Sequence, residues 1–227
     1  MFDLDGYSYA IFLGLEQTLL VGLLAMLLAC TIGVFGALAK TSSSYTLRII
    51  ASFYTATIRG IPELILLLLI FYGVPTLLQD SAASFGLEII IDLNPFIAGV
   101  ITLGFIYGAF SVEVFRGAFG QVPVGQLEAA RAMGMRPWLI FYRILFPQAL
   151  RYSIPGLSNV WMLLIKATAL ISVIQLDEVM RMTKIAANAT QKPFTAYLFA
   201  ALLFLAITLV SIFIQKYLEN KYARGYQ

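Results

Sequence analysis

The amino-acid sequence predicts an all-α integral membrane protein with five spanning helices, and three observations lead there. The chain is 60% hydrophobic and 12% charged, with a mean hydropathy of +0.87, whereas a soluble domain is roughly 45–50% apolar and 25% charged. Five runs are apolar over the ~20 residues that a helix needs to cross ~30 Å of hydrocarbon. The lysines and arginines between those runs gather on one side.

The first run, about residues 12–39, follows the acidic segment Met1-Phe2-Asp3-Leu4-Asp5 and shows no small-residue cleavage pattern before Lys40. It reads as a retained span and not as a leader. The second, about 49–78, carries Arg59 and Glu63 around Gly60 and Pro62, a pair able to interrupt a helix. The third, about 95–119, opens on Asn94-Pro95, which suits a helix start, and holds Glu113 and Arg116 near its end. The fourth, about 154–176, contains Lys166, and the fifth, about 194–215, is uncharged. No linker or internal repeat divides residues 1–227, so one membrane domain is expected.

Sidedness follows from the flanking charges. Lys40, Arg48, Arg59, Arg116, Arg131, Arg136, Arg143, Arg151, Lys216, Lys221 and Arg224 fall on one side, and only Arg181, Lys184 and Lys192 on the other, among mostly acidic neighbours. By the positive-inside rule the loop 120–152 and the C-terminus are cytoplasmic and the N-terminus external. Five spans require termini on opposite sides, in agreement.

Several chemistries are excluded. Cys30 is alone, so no disulfide framework forms, and the absence of histidine removes zinc sites of the H-E-x-x-H type and Ser-His-Asp triads. No catalytic or metal site and no cofactor of this chain's own is expected. Gly36-Ala37-Leu38-Ala39-Lys40-Thr41 lacks the glycine spacing of a phosphate loop and ends a spanning helix instead of following a strand. The net charge of +3 speaks to membrane orientation and not to nucleic acid.

The loop is the most informative stretch. Pro123 can start a helix that Gly134 ends in a left-handed cap, and Arg136-Pro137 begins a second short helix, with Trp138, Phe141, Ile144 and Leu145 as its apolar side, stopped by Pro147. Ala129 and Ala130 offer a small face to an approaching protein. The pattern Glu128-Ala129-Ala130, three residues, Gly134, nine residues, Ile144-x-Phe146-Pro147 resembles the EAA loop of ATP-binding-cassette importer permeases, the cytoplasmic element that docks into the ATPase; Phe146 stands where that family usually has leucine.

Other stretches extend the resemblance over most of the chain: Thr57 to Leu64, Ile70-Phe71-Tyr72-Gly73, Ala98 to Ala109, and Lys166-Ala167-Thr168-Ala169-Leu170. They resemble the polar amino acid uptake permeases, most of all the Q-type permeases of histidine/lysine/arginine/ornithine importers and related opine permeases. The resemblance implies the five-helix fold of a type I importer permease in the bacterial inner membrane. It also implies a second homologous permease subunit, two ATPase subunits that bind ATP-Mg, and a periplasmic amino acid-binding protein. Glu128, Ala129, Ala130 and Gly134 are then the ATPase-coupling residues. Permeases for glutamine, opines or other amino acids are the same-class alternative; an ion-coupled secondary transporter or a channel is the rival from another class.

Charges inside the spans point to substrate. Each costs at least ~2.5 kcal/mol near the bilayer centre, so Glu63, Glu113 and Lys166 must face a partner or a watery path. Lys166 lies roughly 20 Å from Tyr152 along a helix, too deep for easy snorkelling. In the functional reading Glu63 and Glu113 meet a cationic side chain while Lys166, or backbone freed near Gly60-Ile61-Pro62, meets a carboxylate. In the structural reading Glu113 pairs with Arg116 and Glu63 with Arg59.

Overall fold

The computed structural model describes residue 4 and residues 6–223, all helical apart from short connections, with no strand among them. Asp3, Asp5 and Arg224, which enter the charge count above, lie outside the described residues. Eight helices follow in order. They are α1 Tyr7–Thr41, α2 Tyr45–Gly60, α3 Glu63–Ser84, α4 Pro95–Gln121, α5 Val124–Ala132, α6 Pro137–Ile174, α7 Val179–Thr190 and α8 Pro193–Ala223. Five of them, α1, α3, α4, α6 and α8, are long and apolar enough to cross a membrane.

The central helix is α4. Its start is fixed by Asn94, whose side-chain oxygen accepts from the amides of Phe96 (2.9 Å) and Ile97 (3.3 Å), with Pro95 at the first position. It buries Leu103, Ile106, Tyr107, Ala109 and Val112 against its neighbours. Helix α1 packs on it through a stripe of small residues, Ala25, Ala29, Gly33 and Ala37, that recurs every four positions. The approach is close: a Cβ at Gly33 would stand 2.6 Å from Ser111 Cβ, and one at Gly104 would stand 2.6 Å from Leu28. Hydrocarbon gives two apolar helices no hydrophobic drive to associate, so backbone proximity of this kind holds them.

The run expected as one span over 49–78 is two helices. Ile61 (φ −106°, ψ 134°) and Pro62 are extended between α2 and α3. Pro62 has no amide proton to continue α2, and it biases Ile61 away from helical angles. The Arg59–Glu63 pair that an unbroken helix would bring one turn apart is therefore not made. The Arg59 guanidinium lies over the Phe110 ring instead, 5.2 Å from its centre.

A second difference concerns Pro147, expected to stop a short loop helix. Helix α6 runs through it, so that 137–152, read as loop, form the first turns of a 38-residue helix. A wide π turn at Phe141–Leu145 comes just before Phe146-Pro147, and another at Leu69–Gly73 comes just before Val74-Pro75. Widening the turn moves the carbonyl that the ring would otherwise strike. The last turns of α6, Thr168–Ile174, tighten to a 3-10 helix and end at Gln175 in the left-handed region (φ 69°).

Candidate coupling loop and intramembrane site

Helix α5 and the start of α6 stand at one end of the bundle, called here the loop end. The turn between them is built by backbone chemistry. Gly134 has φ +75°, its amide donates to Arg131 O (2.9 Å), and the Met135 amide donates to Ala130 O (3.1 Å). This is the paired capping pattern in which a left-handed glycine satisfies the last helical carbonyls. Glu128, Ala129 and Gly134 are exposed, as are Met133 (82%) and Trp138 (72%). Ala130 faces inward at 3% exposure, so only Ala129 of the two alanines belongs to the outer face. Trp138, expected on the inner side of its helix, points out; the helical period gave no warning because Ile140, Phe141 and Leu145 already fill the inner face.

The loop is tied to the bundle. Val122 is buried, and Leu127 packs with Phe119 and Phe141. The Gln148 side-chain amide donates both to Gln126 Oε1 (2.6 Å) and to Ile144 O (3.0 Å), joining α5 to α6. A push on α5 is thus passed to α4 and α6 and not absorbed by a slack connection.

The intramembrane charges occupy distinct places. Tyr54 donates to the Phe105 carbonyl (2.5 Å), and Arg59 meets Phe110, so the α2–α3 break lies level with the middle of α4. Four carbonyls at the end of α2 and the first amides of α3 lose their helical partners there. Arg59 sits on the negative end of α2 and Glu63 on the positive end of α3, each complementing its own helix dipole. Beside the break a cavity of about 610 Å³, lined by Lys40, Thr55, Arg59, Gly60, Phe110 and Glu113, runs toward the loop end.

Glu113 is doubly held in it: Oε1 accepts from Lys40 and Oε2 from Arg116 Nε (2.8 Å). The Glu113–Arg116 pair is thus made, with Lys40 of α1 as an unforeseen third member. Glu63 and Lys166 have no ion-pair or hydrogen-bond partner among the described residues, and both stand outside the lining of this cavity.

One functional-looking carboxyl escaped the sequence reading. Glu178 is 1% exposed. It caps α7 by accepting from the amides of Met180 (2.9 Å) and Arg181 (2.8 Å), while Thr18 of α1 accepts from the Val179 amide (3.3 Å). Gly14 lets α1 touch this corner, since a Cβ there would come within 2.8 Å of the Glu178 backbone. Burial pushes the Glu178 carboxyl up to about 7, against the opposing pull of its two amide bonds. Glutamate is not among the residues usually found at an N-cap, so the residue order gave no signal for this role.

Five apolar helices, a charge-lined cavity walled by α1, α2 and α4, and a capped helix at one end define a multi-pass membrane component suited to transport. The comparisons agree. Residues 13–224 match the binding-protein-dependent transport system inner membrane component family, and the chain belongs to it. It resides in the inner membrane, its ATPase is a separate subunit, and membership implies that ATPase and a substrate-binding protein as partners. It is 43% identical to the histidine/lysine/arginine/ornithine transport system permease protein HisQ of Salmonella typhimurium, over 98% of this chain and 97% of that one. It is 38% identical to the octopine transport system permease protein OccQ of Rhizobium radiobacter, over 100% and 95%. A crystal structure of an amino acid ABC transporter with histidines superposes with TM-score 0.79 at 31% identity, covering 95% of both chains. The inward-facing MetNI methionine ABC transporter matches at TM-score 0.69 and 17% identity over 94% of each chain, which shows the fold alone.

Proposed function

We propose that this chain forms half of the translocation path of an ATP-driven importer for basic amino acids, with its loop end in the cytoplasm and its N-terminus outside. The observation that carries the reading is the polar cavity at the α2–α3 break. A charge-lined cavity at membrane depth cannot open to hydrocarbon, so this face meets water and a second, homologous permease subunit. The 43% identity to a histidine/lysine/arginine/ornithine permease supports the substrate class.

A basic amino acid presents two cationic groups and one carboxylate. Glu63 and Glu113 together with Lys166 are the complement of that set. Glu63 and Glu113 receive the cationic side chain, Glu113 by exchanging it with Lys40, while Lys166 or the freed amides of α3 receive the carboxylate. A second homologous permease subunit, two ATPase subunits holding ATP-Mg, and a periplasmic amino acid-binding protein complete the machine. Closure of the ATPase dimer moves Glu128, Ala129, Ala130 and Gly134 as part of a stiff lever, and the permease halves rock between outward and inward access.

The test is uptake by the assembled complex. Glu63→Gln and Glu113→Gln should lower uptake of arginine or lysine about tenfold while sparing a neutral amino acid. Equal loss for both substrates sinks the assignment of those acids. Glu128→Lys should release the ATPase on purification; retention of the ATPase with full hydrolysis sinks the assignment of the loop.

A further inference from the structure

A second groove lies between α6 and α8, away from the charged cavity. Its part at the loop end, about 610 Å³, is lined by Gln148, Arg151, Tyr152, Glu219 and Tyr222. At Ile154 it joins an apolar trough of about 370 Å³, lined by Leu23, Leu157, Met162, Ile214 and Leu218. In the trough Trp161 Nε1 donates to Ser211 Oγ (2.9 Å), which donates to Ile207 O (2.8 Å). The groove is therefore amphipathic along its length, with two opposite charges at one end and hydrocarbon at the other. Its outer wall, α8, is apolar on nearly every side and hardly buried, so the groove opens toward lipid.

We propose that this groove holds one phospholipid with a zwitterionic, primary-amine headgroup of the phosphatidylethanolamine type. Arg151 has no ion-pair or hydrogen-bond partner among the described residues and is exposed into the groove mouth; its planar fork matches a phosphate. Across the mouth, Glu219 Oε1 accepts from the Gln215 amide (2.8 Å), which leaves Oε2 for an ammonium. An anionic headgroup without an amine would set its charge against Glu219. A quaternary choline has no proton to donate to that carboxylate. Free phosphate would leave the trough unused, whereas an acyl chain fills it and removes apolar surface from contact with the headgroup layer. The bound lipid would bridge α6, which carries the coupling loop, to α8.

The test is native mass spectrometry of the complex purified with its partner subunits and offered equal amounts of phosphatidylethanolamine, phosphatidylcholine and phosphatidylglycerol with the same acyl chains. One phosphatidylethanolamine per copy of this chain should survive activation, at least fivefold over either competitor. Arg151→Glu and Glu219→Lys should each abolish that preference. Leu218→Trp, which fills the trough, should remove retention of all three, whereas Val210→Trp on the exposed side of α8 should change nothing. Equal retention of the three lipids by the wild-type complex overturns the proposal without reference to any variant. Preference for phosphatidylglycerol overturns the zwitterionic assignment. Capture of a protein subunit instead of lipid by a photo-crosslinker at position 218 overturns the lipid.

Discussion

Replacing Glu178 by glutamine should change how the stability of this protein depends on pH. The carboxyl is buried where α7 begins against α1, and its pKa in the folded protein rises from 4.5 to about 7. The fold therefore prefers the protonated acid, because ionisation puts a charge where water cannot reach it. The stabilisation is fully present below pH 4.5, the unfolded value, and is lost as pH rises through about 7. At 1.36 kcal/mol per unit, the whole effect is of order 3 kcal/mol. For a chain of this size that is about 6–12 °C in unfolding temperature. The assay is the apparent unfolding temperature of the purified complex from pH 4.5 to 8, read as the difference between wild type and Glu178→Gln. The difference cancels carboxylates common to both proteins, Asp177 included. The wild type should lose its several degrees relative to the variant between pH 5 and 8, since glutamine keeps one oxygen for a cap amide and cannot ionise. Parallel curves would refute the burial argument, for they would mean that Glu178 titrates equally in the folded and unfolded chain.

Other perturbations have equally definite outcomes. Gly33→Ala drives a Cβ to 2.6 Å from Ser111 Cβ and 2.9 Å from Phe115, so thermal unfolding should occur lower by the equivalent of about 1–3 kcal/mol; Gly117→Ala, with nothing within 4 Å, is the control. Gln148→Leu removes the bond that joins α6 to Gln126 of α5, and uptake per ATP hydrolysed should drop about 2- to 10-fold while the ATPase stays bound. Gly134→Val places a β-branched residue at φ +75° and should weaken co-purification of the ATPase, because the cost of roughly 1–2 kcal/mol falls on the loop corner. Lys40→Met leaves Glu113 with Arg116 alone, and titration of the cavity by added cationic amino acids should become detectable by a fluorophore placed at Ser52.

How much of this was legible beforehand differs from element to element. The Asn94 cap and the Gly134 corner depend on a few adjacent residues and local backbone geometry, and both stand where the residue order put them. The division at Ile61-Pro62 was visible as a weakness but not as a break. Whether a proline ends a helix depends on what holds the next turns: Pro62 separates two helices, while Pro147 is absorbed by a π turn within one. Arg59 and Glu63 were readable as an i,i+4 pair only on the assumption of one helix, and the break removes that neighbourhood. Lys40 could not be tied to Glu113, nor Glu178 to α1, because each contact joins residues far apart in sequence.

The sequence by itself determined that this is a five-span helical membrane component. Length and apolar runs are properties of composition and order, and burial in lipid leaves the backbone little choice but helix. Only the tertiary structure decided which charges are paired and which are not. It neutralised Glu113 between α1 and α4, left Glu63 at a helix end level with the middle of the bundle, and buried Glu178 as a cap. The physical reason is that a charge in a low-dielectric setting answers to whatever lies within a few ångströms, and in a helical bundle that neighbour comes from another helix.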